Sequence, residues 1–351
     1  MYIYTIYSVY VCIVIVLINL LFRGNMCTTK TNTEDLEMND KIKAQVEKAK
    51  TQTIGVEVEM NNITRNRAAK IAAELFGTGR YENTADRNGY FTWSAWDAEG
   101  REWKFQRDVS IAGDDAKKCE LVTPILHYSE IETLQELIRR LRHAGAVSNA
   151  QVGAGVHIHI GANGHTPQTL RNLANIMASH EELISEALKL DSSRVRRYCR
   201  TVDPNFLEQL NTRTPATMST LADIWYKSQG ENYGRNTHYN GSRYRMLNYH
   251  SVFTKGTIEF RLFQFDSPTA QRKGGLHAGQ LKSYIQFSLL LSQMAKELKT
   301  ASPKLQQKEN KKYAMRTWLL RLGFIGDEFA TARDFLTRNL SGDTAFRHGR
   351  A

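Results

Sequence analysis

The feature that most constrains the fold is the stretch at residues 256–263, in which apolar and charged residues alternate without a break. This alternation is typical of a strand with one buried face and one polar face. Its apolar residues would face the interior, whereas Glu259 and Arg261 would share the other face. In a single strand such a pair is more typical of an ion pair on a solvated sheet face. The same pattern recurs elsewhere in the chain, however, and the recurrence favours a functional role.

Residues 53–60 show the same alternation, with Glu57 and Glu59 on one face and valines on the other. Carboxylates two residues apart on a strand lie about 7 Å from each other. A valine-rich strand beside a glycine favours the interior of a sheet over an exposed strand face, and buried carboxylates need a partner. The pair therefore fits oxygen coordination of Mg²⁺.

Two further strands present side chains of a similar kind. Residues 118–124 place Glu120 at the centre of a short strand that Pro124 ends. Residues 153–161 alternate apolar residues with His157 and His159. A lone histidine would more often be a core residue, but two imidazoles on one strand face are frequent in metal sites.

The helical segments carry only apolar stripes, so each would cover the other face of the sheet. Helices are predicted at residues 65–76, 130–144, 167–189, 276–298 and 313–323, and further strands at 90–96, 101–107 and 243–249. The sequence therefore predicts an α+β fold, a curved and mostly antiparallel sheet with helices on one face and a charged concave front. A Gly- and Asn-rich segment at 229–241 is predicted to be a substrate lid.

Composition limits the partners. Lys and Arg number 47 against 36 Asp and Glu, and the net charge of +11 indicates an anionic partner. The basic clusters at 194–200 and 308–316 are typical of solvated helix faces, so no nucleic acid is expected. The four cysteines lack CxxC spacing, so the sequence indicates neither a zinc site nor a disulfide framework. The simplest interpretation is a protein of a reducing compartment. Neither a P-loop nor a GxGxxG motif is present.

The first 22 residues are uncharged and long enough to span a bilayer. Positive residues lie only on their C-terminal side, which would leave the rest of the chain in the cytoplasm. The composition changes abruptly at Met26, so residues 1–25 are equally interpreted as a gene-model extension before the true start. A cytoplasmic protein is expected, with a membrane partner only if residues 1–22 are genuine.

The polar face would thus bring four glutamates and two imidazoles close together. Divalent cations with a bound polyphosphate would supply binding partners for all of them. Arg261 would then neutralise a transferring phosphoryl group. Five motifs, in this order, resemble those of the amidoligase family: Gly55-Val56-Glu57-Val58-Glu59, Cys119-Glu120-Leu121-Val122-Thr123-Pro124, Gly155-Val156-His157-Ile158-His159, Arg243-Tyr244 with Leu247-Asn248, and Thr257-Ile258-Glu259-Phe260-Arg261. That family belongs to the carboxylate–amine ligase superfamily, together with glutamine synthetase and glutamate–cysteine ligase.

The resemblance implies a fold like the catalytic domain of glutamine synthetase, with ATP and Mg²⁺ (or Mn²⁺) as cofactors. It implies an enzyme that phosphorylates a carboxylate and lets an amine displace phosphate, on a small molecule or peptide that carries these groups. The expected organisation is a hydrophobic segment at 1–25, a polar linker at 26–52, the catalytic domain at 53–292 and a C-terminal helical extension at 293–351.

By motif, the resemblance also implies the roles of individual residues. The metal ligands would be Glu57, Glu59, Glu120, Glu259 and His157, with Asp108 a further candidate. The residues near the nucleotide would be His157, His159, Asn248 and Lys104, and the catalytic residues Arg261, Glu259 and Arg245.

Two other functions compete with the ligase. A hydrolase could hold Zn²⁺ between His157, His159 and a carboxylate, although the excess of glutamates over histidines favours the harder Mg²⁺. A non-catalytic module could bind a nucleotide or peptide without turnover. Within ATP-using enzymes, a phosphotransferase on the same sheet architecture is a further alternative.

Overall fold

The computed structural model describes residues 33–85, 89–270, 274–305 and 309–345. The chain divides into two units, residues 1–41 and 42–351, and helix α1 (Thr33–Lys50) crosses the division. The predicted hydrophobic segment at 1–25, with its alternative of a membrane anchor, lies outside the described residues. Among the helices that are described, none has both the length and the apolar character needed to cross a bilayer.

An open antiparallel sheet forms the centre of the second unit and confirms the predicted α+β fold class. Its strands, in the order β2-β3-β4-β5-β1-β6-β8-β7, are β1 (Ile54–Met60), β2 (Tyr81–Asn83), β3 (Trp93–Trp96), β4 (Glu102–Gln106), β5 (Cys119–Val122), β6 (Val156–Gly161), β7 (Leu247–Asn248) and β8 (Thr257–Phe263). Each neighbouring pair is antiparallel. The strand predicted first along the chain, β1, is therefore internal, as its valines indicated.

The pleat separates an apolar face from a polar one. Val56 and Val58 on β1 are buried on the apolar face, as are the apolar residues of β6 and β8. On the polar face, β1 pairs Glu59 with Glu120 of β5 and Glu57 with His157 of β6. The register thus brings acids and imidazoles from three strands together.

Helices surround the sheet. Besides α1, they are α2 (Arg65–Leu75), α3 (Ile131–His143), α4 (Pro167–Ala187), α5 (Ser192–Arg197), α6 (Pro204–Arg213), α7 (Met218–Ser228), α8 (His250–Lys255), α9 (Ala278–Glu297), α10 (Lys311–Leu322) and α11 (Ala330–Thr337). Those behind the apolar face include α2, α3, α4, α9 and α11, whereas α8 brings Lys255 to Glu57 on the polar face. Helix α2 contacts β3 and β4, α9 contacts β6, and α3, α4 and α11 pack on α9. Each helix predicted from apolar spacing is present, with ends shifted by at most two residues.

Two segments outside the predicted catalytic domain contribute to the buried core. Within the predicted linker at 26–52, the part of α1 in the second unit buries Val46 and Ala49 in the core, and Gln52 donates to the Leu289 carbonyl at 3.1 Å. In the predicted extension at 293–351, Leu336 of α11 is fully buried. Both segments belong to the core that supports the sheet.

The predicted strand at 243–249 is shorter than expected. Only Leu247–Asn248 is strand, since Gly241–Arg243 forms a 3₁₀ turn. The residues between them pair with Arg200, whose amide N donates to the Tyr244 carbonyl and whose carbonyl accepts from Met246. This pairing removes Arg245 from the regular alternation of the sheet.

Candidate active site

The polar face gathers six of the predicted residues in a buried group at the middle of the sheet. We call this group, together with the adjoining Glu57, the glutamate–histidine cluster; the buried six are Glu59, Glu120, His157, His159, Glu259 and Arg261. The Glu57 side chain is 16% exposed and connects the group to solvent. Asn248, predicted to lie near the nucleotide, is also buried there.

Glu57 lies between the two histidines. His157 Nδ1 is 2.8 Å from Glu57 Oε2, His159 Nε2 is 3.3 Å from Oε1, and Lys255 Nζ is 3.7 Å from Oε1. Burial alone would raise the pKa of Glu57, but attraction from His159 and the hydrogen bond with His157 outweigh it and hold the pKa well below its ordinary value. Glu57 is therefore ionised at neutral pH.

Glu259 and Arg261 form the ion pair expected on β8. Arg261 Nη1 donates to Glu259 Oε1, and Asn248 Nδ2 donates to Glu259 Oε2 at 2.7 Å. Burial opposes ionisation of Glu259, but the charges of Arg261 and His159 outweigh it and lower its pKa. Burial would likewise lower the pKa of Arg261, and Glu259 with Glu57 raises it instead. Arg261 is thus positively charged, and its Nη1 atom is hydrogen-bonded to Glu259.

Within the described residues, neither Glu59 nor Glu120 forms an ion pair with an arginine or lysine, although His157 Nε2 lies 3.8 Å from Glu59 Oε1. Glu59 Oε2 accepts from the Gly155 amide at 2.6 Å, and Glu120 Oε2 accepts from Gln106 Nε2 at 2.7 Å. Burial raises the pKa of Glu120 well above its ordinary value, and repulsion from Glu57 and Glu59 raises it further. A cation bound on this side of the cluster would oppose both effects.

The residues fit divalent cations. Three groups bring one ligand atom from each member within 4.8 Å of the others: Glu57, His159 and Glu259; Glu57, Glu120 and His157; Glu59, Asp108 and Glu120. Two buried nitrogens, Nε2 of His159 and Nε of Arg261, make no hydrogen bond with any described residue. Carboxylate-rich sets of this kind suit Mg²⁺ or Mn²⁺.

Two predicted residues are not brought into the cluster. Arg245, predicted to be catalytic, donates to Gln229 Oε1, to the Thr201 carbonyl and to Asp203 Oδ2 at 2.6 Å. Lys104 lies on the polar face, but its side chain is 41% exposed and its Nζ is 3.7 Å from Glu102. Arg245 lies outside the cluster because its segment pairs with Arg200. Lys104 lies outside it because its partner on β5 is Val122, whereas Gln106 on the same strand pairs with Glu120.

The sequence predictions missed several residues that contact the cluster, among them Gln106 and Lys255. Gln106 lies two positions after Lys104 on the same strand face, so the alternation on β4 could have identified it. Lys255 precedes the Gly256 turn, where the local pattern gives no sign of its 3.7 Å approach to Glu57.

The segment at 229–241, predicted to be a substrate lid, reaches across the polar face. At its end, the hydroxyl groups of Tyr239 and Tyr90 are 2.8 Å apart, and Tyr90 lies just before β3. Burial, together with the charges of Arg243 and Lys255, lowers the pKa of His238. A small cleft lies between His238 of this segment and Glu259 of the cluster, with Arg243 and Lys255 also among its lining residues.

We expect Tyr239→Phe to loosen the 229–241 segment, because the substitution removes the hydrogen bond to Tyr90. A hydrogen bond contributes about 0.5–1.5 kcal/mol, so amide exchange in this segment should become roughly 2- to 10-fold faster by mass spectrometry. Tyr233, which is 93% exposed on the same segment, offers the control, and Tyr233→Phe should leave exchange unchanged. Equal exchange in Tyr239→Phe and the unmodified protein would show that the Tyr90 contact does not hold the segment.

Comparison with known proteins agrees with the sequence motifs. The family model described as "Putative amidoligase enzyme" matches residues 50–292, well over half of the chain. Among solved structures, the chain is similar to a bifunctional glutathione synthetase from Pasteurella multocida (14% identity, TM-score 0.40, covering 85% of this chain and 48% of that chain). It is also similar to a glutamine synthase homolog (11% identity, TM-score 0.36, covering 86% and 70%).

The chain thus spans about half the length of the glutathione synthetase. No curated protein matches the sequence.

Proposed function

Because the chain belongs to the amidoligase family, we propose that it is an ATP-dependent carboxylate–amine ligase. The enzyme transfers the γ-phosphoryl group of ATP to a substrate carboxylate and forms an acyl phosphate. An amine then attacks the acyl carbon, phosphate leaves, and an amide or peptide bond remains. The substrate is a small molecule or peptide that carries the carboxylate or the amine.

One observation carries this proposal: four glutamates surround two histidines on a buried sheet face, with a single arginine held against them. Carboxylates that lie this close repel one another, and bound divalent cations would relieve that repulsion. An ATP-using enzyme brings both divalent cations and a polyanion to its site. A module that only supported the fold would gain nothing from this arrangement.

The roles follow from the contacts. Glu57, Glu59, Glu120, Glu259 and His157, with Asp108, would hold Mg²⁺ or Mn²⁺, which supplies positive charge that neutralises the triphosphate. Glu259 fixes Arg261 through one guanidinium nitrogen, and the Nε donor of Arg261 stays available for an oxygen of the transferring phosphoryl group. Asn248 fixes Glu259 in turn. His159 Nε2 makes no hydrogen bond with any described residue and lies 3.3 Å from Glu57 Oε1, where it could bind a metal.

The test combines ADP release with an isotope label. The protein is incubated with ATP and MgCl₂ across a panel of amino acids and peptides, with ¹⁸O in the carboxylate of each acceptor. Release of ADP should require both a carboxylate and an amine, and one ¹⁸O should appear in phosphate for each amide formed. The label moves because the acyl phosphate breaks between carbon and the carboxylate-derived oxygen.

Other outcomes would refute the ligase. Hydrolysis without ATP, restored by Zn²⁺ after chelation, would favour the metal-dependent hydrolase. ADP release with ¹⁸O retained in the product and no amide formed would favour a phosphotransferase. Binding of ATP without turnover of any acceptor would favour the non-catalytic module.

A further inference from the structure

An exposed group of arginines lies beside the cluster. Arg196, Arg197 and Arg200 are exposed, at and just after the end of α5, and Arg243 is partly exposed. We call these four residues the arginine surface. Within the described ranges none of them forms an ion pair, and the hydrogen bonds of Arg200 and Arg243 go to backbone carbonyls. By contrast, Arg139 and Arg140 on α3 both bond to Glu136.

The arginine surface is joined to the cluster by consecutive backbone pairs. The amide N of Arg200 donates to the Tyr244 carbonyl at 3.1 Å, and the Arg200 carbonyl accepts from Met246 N at 2.7 Å. The Met246 carbonyl in turn accepts from Arg261 N at 2.9 Å. Two strand spacings therefore separate the backbones of Arg200 and Arg261, about 10 Å.

Aromatic side chains fill the space between the two groups. The Tyr244 ring centre is 5.9 Å from Cζ of Arg261 and 5.8 Å from Cζ of Arg243. Tyr198 meets the same ring edge-on at 6.3 Å. A ligand that lies over Tyr244 would therefore meet guanidinium groups from both the surface and the cluster.

A buried arginine fixes the position of this surface. Arg194, on the same helix, is only 4% exposed and donates to the carbonyls of Phe263 at 2.8 Å and Arg261 at 3.4 Å. Its guanidinium occupies the space that a Cβ on Gly155 would need, 2.2 Å from one nitrogen. Helix α5 is thus attached to the ends of β6 and β8, so its exposed arginines keep a constant position relative to the cluster.

We propose that the arginine surface docks an acidic segment of a polypeptide substrate, one of whose reacting groups then enters the cluster. This inference rests on the proposed ligase function. Guanidinium groups bind carboxylates in a two-pronged geometry, and unpaired arginines attract acidic chains over a Debye length of about 8 Å at physiological salt. A polypeptide carries docking carboxylates and a reactive carboxylate or amine in one chain, whereas a nucleic acid carries no carboxylate.

The test measures binding without catalysis. Fluorescence anisotropy follows a fluorescein-labelled peptide of ten glutamates as the full chain is added, at several salt concentrations and without ATP. Exposed ion pairs contribute roughly 1.5- to 5-fold each, so Arg196→Gln/Arg197→Gln/Arg200→Gln should weaken binding by about 3- to 100-fold and flatten its salt dependence.

A matched control removes the same charge elsewhere. Lys312, Arg316 and Arg321 lie on α10, which packs against α9 and α11, and they too form no ion pair within the described ranges. The variant Lys312→Gln/Arg316→Gln/Arg321→Gln should bind the peptide within twofold of the unmodified protein. Equal weakening in both triple variants would overturn the proposal, because net charge alone would then explain the binding.

Two further probes distinguish other partners. A DNA duplex or phosphatidylserine vesicles that bind more tightly than the peptide, and lose binding in the α5 variant, would overturn the proposal in favour of that partner. Ligation of short neutral substrates by a protein that does not bind the peptide would refute docking alone. Peptide binding that depends on the arginine surface, in a protein that forms no amide, would refute the ligase function and leave docking supported.

Discussion

Arg261→Lys should lower the kcat of the proposed ligase by about 100-fold or more while the protein stays folded. Lysine keeps the positive charge that the buried Glu259 needs, so the fold does not have to accommodate an unpaired carboxylate. It lacks the planar fork that lets one side chain hold Glu259 and also donate to a phosphoryl oxygen. Loss of one donor to the transition state raises a barrier by about 2.7–4 kcal/mol.

The measurement is ADP release at saturating substrate, with circular dichroism and thermal unfolding as checks of the fold. The chain offers a matched control in Arg245, another buried arginine paired with an acid, Asp203, outside the cluster. Arg245→Lys should change stability more than kcat, which should stay within a few-fold. Full activity in Arg261→Lys, or an equal loss in Arg245→Lys, would contradict the assignment of Arg261.

Magnesium should stabilise the protein against unfolding, and this stabilisation should depend on Glu57. A ligand that binds only the folded state at 100 times its Kd stabilises that state by about 2.7 kcal/mol. Two of the three candidate metal groups contain Glu57, so Glu57→Gln should remove most of the shift in Tm that MgCl₂ produces. Thermal unfolding with EDTA and with increasing MgCl₂ measures this difference without any substrate.

Glu102 is the control for this experiment. It lies on the polar face of β4, is 29% exposed and accepts from the Ser94 hydroxyl at 2.7 Å, apart from the three candidate metal groups. Glu102→Gln should respond to MgCl₂ like the unmodified protein. A Tm that MgCl₂ does not change in the unmodified protein, or a response that Glu102→Gln also abolishes, would contradict a metal site in the cluster.

The alternation of residue types predicted much of the site, because strand period alone decides which side chains share a face. Glu57, Glu59, His157, His159, Glu259 and Arg261 lie on the polar face as predicted. Their convergence also required that β1, β6 and β8 be neighbours. This arrangement was expected because each of the three strands carries charged or imidazole side chains on its polar face, and such buried side chains need polar partners.

Alternation could not predict where a strand ends or how far it lies from the centre. The segment around Arg245 alternates like a strand, but its partner is Arg200, and no local pattern encodes that pairing. Lys104 lies on the polar face as its position in the strand predicts. The sequence does not show that β5 separates β4 from β1; the strand order does. The core role of α11 was missed because its eight residues are fewer than the roughly 11 to 18 over which helical periodicity is assessed.

The central position of β1 has a consequence for how the chain is made. Glu57 and its partner His157 are 100 positions apart. Because the ribosome adds about 5–20 residues each second, β1 is synthesised several seconds before β6 can pair with it. A valine-rich strand with free edges is prone to pair with other chains, and long-range sheets fold slowly. Glu57 and Glu59 place charge at two of the three positions on one face of that strand, the third being Gly55, and such charge opposes aggregation. The carboxylates that crowd the finished site thus protect the nascent chain until the site can form.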